Sequence, residues 1–485
     1  MSQSTGHTPH KHPASFGPVP WSTWTQLAFY VVLFLLCLLT FHGITDNYLF
    51  NDDFSWLSAA RYGMNPANLL TYRVVNFFRP LINLSFFVME RVAPANIRFN
   101  ATLNLALHFI NTILVFHLLT ALLKKRQTAM AAAVLFAVTS LHTGAVFWIS
   151  ARTTLLSTLF VLASLTVAAS GGKETPARTA AAVVLFIMAL AAKETAIAGL
   201  PLVLLIYLLD RHKREVPGIA KRTVIAFEVV AIAYLVIRKA VMGGFVQANW
   251  GPGAHAVRNL AGGFLYQFYP WPFFSLFYVP ATRIPEPVHP IIPEVLVVPL
   301  ILVLLLIGAR TKRLRTFALS IGWTLLALLP ASPFRYRFFS TVSITQNRYY
   351  YLSSVGSVCM IAVLLSVLWS GRSRIRTVTC TVLFLILCIG YIHRVDRLEK
   401  KWAEFTGMYR EVVTVVTRET RRHGASTIAM ENPLLAFPYM REALSLVQPT
   451  WKVVEITGGR DEAMWWRPCL YISYMQNQMR FEMLE

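Results

Sequence analysis

The chain has 485 residues, of which 55% are hydrophobic and 14% are charged, whereas about a quarter of an ordinary soluble protein is charged. Long uncharged runs recur from end to end, which excludes a soluble globular protein and predicts a polytopic α-helical membrane protein. The formal net charge of +22 does not indicate nucleic-acid binding, because the Lys and Arg residues lie in short clusters between apolar runs. The five Cys residues show no metal-binding spacing and no disulfide framework.

The N-terminal segment 1–24 is rich in His, Pro and Ser and has no apolar periodicity, so we predict a disordered cytoplasmic tail. It is too long and too polar to begin a cleaved signal peptide, and we expect the following run to be retained. That run, 26–44, is the first predicted span. It leads into a first outer loop, 45–98. Within this loop the apolar stretch 79–92 is interrupted by charge, which predicts a helix lying in the membrane interface.

The basic clusters between the later apolar runs set the orientation of the chain. The clusters at 124–126, 210–215 and 310–315 all fall on the side of the N-terminal tail, which the positive-inside rule makes cytoplasmic. The Pro-, Gly- and aromatic-rich segment 245–293 must begin and end on the outer side, so we predict a re-entrant or interfacial element there. The sequence therefore predicts a transmembrane domain, 25–392, with about eleven spans.

The composition shifts after residue 392. Aromatic and Val residues at helical spacing from Trp402 to Val416 predict an amphipathic helix, which Gly424 ends. Two short strands with a helix between them follow, in the stretches STIAM, 439–446 and WKVVEI. The segment 393–485 is therefore predicted to form a small extracytoplasmic α/β domain.

Two adjacent carboxylates, Asp52 and Asp53, follow the first span in the stretch NDDFSWL. Carboxylates are costly next to hydrocarbon, so an acidic pair there indicates either a structural partner or a function. In the structural interpretation, either Asp caps a short helix over 54–61. In the functional interpretation, one of them is a general base. The pair by itself does not decide between these interpretations.

Other charged residues at span ends fall on the same predicted side of the membrane as the acidic pair. A single charge at a helix end is usually a side chain that reaches for the membrane surface. Several cations and acids above one bundle instead indicate a phosphate-bearing substrate and an acceptor group that needs a base. The members of this set are Arg79, His142, Arg152, Lys193, Glu194 and Arg348.

The ordered motifs NDDFSWL, FRPLINLSFF, WISARTTLLSTLF, AAKETAIAGLP and QNRYYYLSSVG resemble the GT-C superfamily of integral-membrane glycosyltransferases over nearly all of 26–397. Within it they are most similar to the protein O-mannosyltransferase-like branch. Two motifs depart from the family pattern: Phe78 replaces the Tyr of Tyr-Arg-Pro-Leu, and Ala151 stands where Gly commonly precedes Arg. No tetratricopeptide repeat follows the last span. These departures bear on which acceptor and which sugar the resemblance implies, more than on the type of reaction.

The resemblance implies a hexosyl or mannosyl transferase that moves a sugar from a polyprenyl-phosphate donor to a hydroxyl of a protein or glycan acceptor on the non-cytoplasmic face, by inverting displacement. The acidic motif makes Asp52 and Asp53 the catalytic candidates, with Asp52 as the base. One base suffices, since the leaving phosphate needs no acid and cations stabilise its charge. The candidates for binding the donor phosphate are Arg79, Arg152, Lys193 and Arg348, supported by His142, Glu194 and Tyr349.

Two alternatives remain open at this stage. A lipid A- or polysaccharide-modifying transferase of the aminoarabinose-transferase type would share the superfamily and the donor. A lipid or sugar transporter would use the Pro/Gly break near 264–277, although the two halves show no repeat and charges gather at span ends. We expect no required cofactor, because Arg and Lys can hold a monophosphate without a metal, and a divalent cation is left open. The basic balance favours a bacterial inner membrane with the active site and the C-terminal domain facing the periplasm.

Overall fold

The computed structural model describes residues 22–74, 77–170, 175–211, 219–243, 253–268, 296–333, 345–369, 373–431, 440–456, 462–464, 467–475 and 478–484. Residues 1–21 of the predicted N-terminal tail 1–24 lie outside these ranges, and Thr23 and Trp24 belong to the first helix. Most of the predicted re-entrant segment 245–293 also lies outside these ranges. The part of that segment within them forms a helix, Gly253–Phe268.

The described residues form a helical bundle followed by a small mixed α/β unit. The helices, numbered in chain order, are α1 (Thr23–Thr40), α2 (Asp52–Ser58), α3 (Pro80–Val92), α4 (Ile97–Leu123), α5 (Arg126–Val138), α6 (Thr143–Val146), α7 (Arg152–Ala169), α8 (Pro176–Ala192), α9 (Gly199–Arg211), α10 (Lys221–Met242), α11 (Gly253–Phe268), α12 (Val297–Arg310), α13 (Leu314–Leu328), α14 (Ser354–Trp369), α15 (Arg374–Arg422) and α16 (Met440–Val447). The first predicted span, 26–44, lies almost entirely in α1 and in the 3-10 turn His42–Asp46 that follows it.

Five helical stretches among the described residues are long and apolar enough to cross a membrane. A bent pair, Arg126–Val138 with Ser140–Val146, makes six if it counts as one span. Helices α8, α12 and α14 are apolar but shorter. The structure therefore confirms a polytopic helical membrane protein, and the number of eleven spans stays a prediction. The five stretches are Thr23–Thr40, Ile97–Leu123, Ile149–Ala169, Leu314–Ala331 and Arg374–Arg422.

Helix α4 is central to the bundle, because it packs against both α5 and α7. Its buried face carries amides and a histidine that an apolar helix would lack, and these groups bond to neighbouring elements. The Nδ2 of Asn104 donates to the carbonyl of Trp148 at 2.9 Å, and the Nδ2 of Asn111 donates to the carbonyl of Leu155 at 3.1 Å. These bonds satisfy buried polar groups, and they tie α4 to the turn that precedes α7 and to α7 itself.

The first loop packs against α15 through an aromatic cluster. The ring centroid of Phe50 lies 5.3 Å from that of Trp148, 5.8 Å from Trp402 and 5.4 Å from Tyr409. The indole Nε1 of Trp148 also donates to the carbonyl of Phe50 at 3.1 Å. Large buried aromatic groups bring much apolar area together, so this cluster holds the start of α2 in one place.

Helix α15 runs without a break from the membrane part into the C-terminal unit. Its 49 residues correspond to a length of roughly 74 Å at about 1.5 Å per residue. The sequence predicts two elements here, a span ending at 392 and a separate amphipathic helix. The predicted boundary at 393 therefore falls inside one continuous helix. Gly424, with a φ of +61°, follows the helix end as predicted.

The C-terminal unit contains a four-stranded sheet in the order β2-β1-β3-β4. Strand β1 (Thr427–Glu431) is parallel to β2 (Lys452–Ile456) and to β3 (Cys469–Met475), and β4 (Gln478–Leu484) is antiparallel to β3. The stretches STIAM and WKVVEI correspond to β1 and β2, whereas β3 and β4 were not predicted. Helix α16 joins β1 to β2 and packs directly on α2, so the unit rests on the helix that carries the acidic pair.

Candidate active site

A polar cavity opens where several helices of the bundle end or begin. It brings together the start of α2, the start of α3, the turn before α7, the junction of α8 and α9, and the turn before α14. Its lining residues are Asp52, Trp56, Phe77, Arg79, Trp148, Ser150, Ala151, Thr153, Lys193, Glu194, Arg348 and Tyr349. Six of the nine residues that the sequence singled out therefore meet in one place, drawn from segments far apart in the chain.

Asp52 lies in the first turn of α2, where the unpaired N–H groups of the helix favour a carboxylate. The preceding residue, Asn51, has a φ of +50°, a left-handed conformation that side chains other than Gly adopt at a cost. Asn51 is the N-cap, without a side-chain bond, so neither Asp caps the helix. The half-buried carboxylate of Asp52 makes no hydrogen bond or ion pair with any residue that the structure describes.

Asp53 is 1% exposed and does not line the cavity. Its Oδ2 accepts from the backbone N–H of Phe50 at 2.9 Å, and its Oδ1 accepts from the N–H of Ser150 at 2.7 Å and from the Ser150 hydroxyl. Burial raises the pKa of Asp53 to about 7, although these hydrogen bonds lower it, and the charge of Asp52 adds to the rise. Asp53 thus links the first loop to the turn before α7.

Arg79 and Glu194 form a bidentate pair at one side of the cavity. The Nε of Arg79 donates to Oε2 at 3.1 Å, and its Nη2 donates to Oε1 at 2.8 Å. Burial raises the pKa of Glu194, but the charge and hydrogen bonds of Arg79 outweigh burial and bring it to about 2. Glu194 is therefore ionised and neutralises most of the charge of Arg79. The Nη1 of Arg79 makes no hydrogen bond within the described ranges.

Lys193 and Arg348 are the cavity's other cations. The Nζ of Lys193 donates to the Thr154 hydroxyl at 2.7 Å and lies 5.2 Å from the centre of the Tyr349 ring. Burial lowers the pKa of Lys193, and the charges of Arg79 and Arg348 lower it further, against the opposing charge of Glu194. An anion that entered beside Lys193 would favour its charged form.

The guanidinium of Arg348 lies between two aromatic rings. Its Cζ is 4.4 Å from the Trp148 ring centroid and 4.7 Å from that of Tyr349. Its Nη1 donates to the Thr345 carbonyl at 2.9 Å. In the described part of the chain, neither Arg348 nor Lys193 lies within ion-pair distance of a carboxylate. Among the described residues, the two basic side chains therefore have no acidic partner within ion-pair distance, and they share the cavity with the unpaired Asp52.

Arg152 is not among the lining residues, although its neighbours Ala151 and Thr153 are. Its side chain is fully buried and faces α4, where Nη2 donates to Asn100 Oδ1 at 2.7 Å and Nε donates to Asn104 Oδ1 at 3.2 Å. Its guanidinium also lies 4.6 Å from the centre of the Phe86 ring. The structure therefore places Arg152 in a network that ties α7 to α4 and α3.

His142 also lies outside the cavity. Its Nε2 is 2.8 Å from the Ser354 hydroxyl, and its ring packs against Phe136 and Tyr351, with centroids 4.3 Å and 4.5 Å away. Its surroundings are those of a packed core histidine that joins the α5–α6 bend to the start of α14. The structure brings neither His142 nor Arg152 together with the other candidates.

Sequence reasoning missed Trp148, Ser150 and Thr154. Trp148 forms a wall of the cavity, Ser150 binds Asp53, and Thr154 binds Lys193. All three lie in or beside the motif WISART, in which Arg152 is the one residue that the sequence analysis selected as a candidate. The described residues contain no cluster of three or more His, Cys, Asp or Glu side chains that could hold a metal ion.

The overall fold is similar to solved membrane glycosyltransferases. ArnT from Cupriavidus metallidurans, in the apo state, superposes with a TM-score of 0.52 at 12% identity, over 93% of each chain. An oligosaccharyltransferase from Archaeoglobus fulgidus, solved with a tethered acceptor peptide, superposes with a TM-score of 0.51 at 10% identity, over 90% of this chain. Its apo form gives a TM-score of 0.51 at 12% identity.

The match covers 64% of the archaeal chain, so this chain spans less than two thirds of that protein. No protein-family model and no curated protein matches the sequence. At such low identity the structural similarity establishes the fold, while the O-mannosyltransferase-like branch rests on the sequence motifs. The chain has the GT-C fold of the integral-membrane glycosyltransferases.

Proposed function

We propose that the protein is a GT-C glycosyltransferase that moves a sugar from a polyprenyl-phosphate donor to an acceptor hydroxyl. The observation that carries this proposal is the arrangement of charge in the cavity. An unpaired carboxylate, Asp52, shares the cavity with Lys193 and Arg348, two basic side chains without an acidic partner among the described residues. This arrangement suits a reaction in which a proton is removed beside Asp52 and negative charge develops beside Lys193 and Arg348.

In the proposed reaction, Asp52 takes the proton of the acceptor hydroxyl as its oxygen bonds to the anomeric carbon. The bond between that carbon and the phosphate oxygen breaks, and the electron pair leaves with the polyprenyl phosphate. Attack from the side opposite the leaving group inverts the anomeric centre. The phosphate needs no proton to leave, so a single carboxylate is sufficient.

Lys193 and Arg348 bind the donor phosphate in this proposal and stabilise its growing charge. Arg79 contributes through Nη1, since Glu194 occupies its Nε and Nη2. The rings of Trp148 and Tyr349 hold the Arg348 guanidinium in place, which lowers the cost of binding a phosphate. Tyr349 therefore supports the site through Arg348 and Lys193.

For Asp53, Arg152 and His142 we propose positioning roles in place of direct contact with substrate. Asp53 fixes Ser150 and the first loop, and Arg152 fixes the start of α7 below the cavity wall. His142 packs beneath the turn that carries Arg348, through its contact with Ser354. These three residues keep the cations and Asp52 at a constant separation.

We also propose that the cavity faces the non-cytoplasmic side of a bacterial inner membrane. The basic clusters at 124–126 and 310–315 lie at the opposite ends of α4 and α12 from the cavity side, which supports this orientation. The acceptor, a protein or a glycan, and the identity of the sugar belong to the same proposal. The archaeal enzyme with the same fold holds an acceptor peptide in its structure, which favours testing peptides first.

The experiment is an activity assay on purified protein with a panel of polyprenyl-phosphate-linked sugars and both peptide and glycan acceptors. We expect acceptor-dependent release of polyprenyl phosphate with at least one donor, and loss of release in Asp52→Asn. A transporter would move the donor between leaflets of a vesicle without releasing polyprenyl phosphate. That result would overturn the proposal.

A further inference from the structure

Lys193 is a buried amine at the junction of α8 and α9, where its side chain is 5% exposed and lines the Asp52 cavity. The acid next to it in the chain, Glu194, already forms the bidentate pair with Arg79. Among the described residues, no carboxylate lies within ion-pair distance of Nζ. Taking an ammonium group out of water without such a partner is costly, so burial favours the uncharged amine.

The basic neighbours of Lys193 favour the same uncharged form. Its Nζ lies 5.2 Å from the centre of the Tyr349 ring, and the Cζ of Arg348 lies 4.7 Å from the centre of the same ring. Burial lowers the pKa of Lys193 most, and the charges of Arg79 and Arg348 lower it further. The charge of Glu194 raises this pKa, but less than either arginine lowers it.

The hydroxyl of Thr154 lets Lys193 exist in either charge state. Thr154 is the third residue of α7, and Nζ donates to its Oγ1 at 2.7 Å. A hydroxyl both accepts and donates hydrogen bonds, so the uncharged amine keeps this contact either as donor or as acceptor. Loss of the proton therefore leaves Nζ bonded in its buried position, and Lys193 can change its charge without moving.

The other charged groups near Lys193 differ in how they respond to an anion. Asp52 shares the cavity, and an anion beside it would favour its protonated form, which is the same direction of proton change as at Lys193. Asp53, whose pKa burial raises to about 7, does not line the cavity. Arg238 of α10 is buried, and its charge acts on Glu194. An experiment on proton uptake must therefore separate Lys193 from the two Asp residues.

We propose that Lys193 is largely uncharged before a donor binds, and that it takes up one proton from solvent as the donor phosphate enters the cavity. This inference rests on the donor phosphate site of the proposed function. The donor phosphate is a diester with one negative charge and no proton to give up near neutral pH, and its charge beside Nζ stabilises the ammonium form. Lys193 is then a cation where negative charge grows on the departing phosphate. Its proton returns to solvent when the phosphate leaves.

The experiment titrates a short isoprenyl phosphodiester, citronellyl methyl phosphate, into the full-length protein by calorimetry. Each titration is run in two buffers with different ionisation enthalpies, and the difference in binding enthalpy gives the number of protons taken up. The measurements cover about pH 7.5 to 10, where carboxyl groups with ordinary pKa values stay ionised. The probe keeps a single negative charge over this range, so any proton uptake belongs to the protein.

We expect the uptake to approach one proton per bound probe. The bound phosphate raises the pKa of Lys193, so binding is strongest at low pH and weakens as the pH rises above the pKa that Lys193 has before binding. The Kd should rise by up to about tenfold per unit of pH between the pKa values of the free and the bound state.

Two replacements of Lys193 should abolish the uptake in different ways. Lys193→Arg keeps a cation that does not lose its proton, so this variant should bind the probe with a Kd that does not depend on pH. Lys193→Met has no amine and should bind at least about tenfold more weakly at the lowest pH, also without uptake. Asp52→Asn removes the competing carboxyl group and should keep the uptake. Lys400→Arg makes the same change at an exposed lysine of α15 and should behave like the wild-type protein.

Binding of the probe to the wild-type protein without proton uptake would overturn this inference and leave the proposed phosphate site in place. Uptake that persists in Lys193→Arg and Lys193→Met would assign the proton to another group and would also overturn it. Absence of binding at every pH would overturn both this inference and the phosphate site of the proposed function. The two Lys193 variants differ in charge and size, so either one carries the test if the other folds poorly.

Discussion

The replacement of Asp52 by Asn tests the proposed base with little disturbance of the fold. The carboxylate makes no hydrogen bond or ion pair in the described part of the chain, so the isosteric amide breaks no such contact. We expect the free energy of unfolding to fall by no more than about 1 kcal/mol, which is the usual contribution of a carboxylate in the first turn of a helix. Loss of a general base lowers the rate on the order of 10²–10⁴-fold, or about 3–5 kcal/mol in the barrier.

Asp53→Asn is the matched comparison, since it makes the same chemical change one residue away. Asp53 accepts from Phe50 and twice from Ser150, and an amide NH₂ would face one of these donors. We expect a loss of stability of about 1–3 kcal/mol and a smaller loss of turnover per folded molecule. The assay is single-turnover transfer with purified protein, normalised to the folded fraction. Normal turnover in Asp52→Asn would refute its role as base, and an inactive Asp53→Asn beside an active Asp52→Asn would move that role to Asp53.

Three further predictions follow from the same geometry. Arg348→Gln should raise the KM for the donor about tenfold or more, with little change in melting temperature. Arg152→Gln should instead lower the melting temperature. The reverse pattern would contradict both the position of Arg348 in the cavity and the position of Arg152 in the buried network. Because burial raises the pKa of Asp53 from its ordinary 3.8 to about 7, the folded state holds its proton more tightly. The contribution of the Asp53 proton to the free energy of unfolding is complete below about pH 4 and disappears as the pH rises through 7. Wild-type protein should therefore lose stability relative to Asp53→Asn over this range. Melting temperatures of the two proteins that vary with pH in the same way would contradict the prediction. Reporter fusions after Arg126 should be cytoplasmic and those after Gly424 on the other side, and a cytoplasmic signal at both would refute the orientation.

Much of the site could be predicted from sequence because it lies at helix ends. Counting spans places Asp52, Lys193 and Arg348 on one side of a membrane, and a bundle then brings helix ends on that side close together. In the structure all three residues line one cavity. The apolar runs were equally informative, because a stretch of about twenty apolar residues typically forms a membrane-spanning helix.

The direction of an individual side chain could not be predicted in this way. Arg152 stands at the first position of α7 and faces α4, where its partner Asn100 lies 52 residues earlier in the chain. Asp53 finds Ser150 across a separation of 97 residues. Such pairings depend on how two helices are rotated against each other, which a single sequence does not encode locally. The continuity of α15 was missed for a related reason, because its apolar and amphipathic parts have different patterns within one helix.

The central claim is that the cavity at Asp52 transfers a sugar from a polyprenyl phosphate. The most direct measurement follows donor, product and polyprenyl phosphate together in one reaction, with the anomeric configuration of the product determined by NMR. The account predicts one polyprenyl phosphate released for each glycoside formed, inversion at the anomeric carbon, and neither product from Asp52→Asn. Retention of configuration, or transfer that continues unchanged in Asp52→Asn, would contradict it.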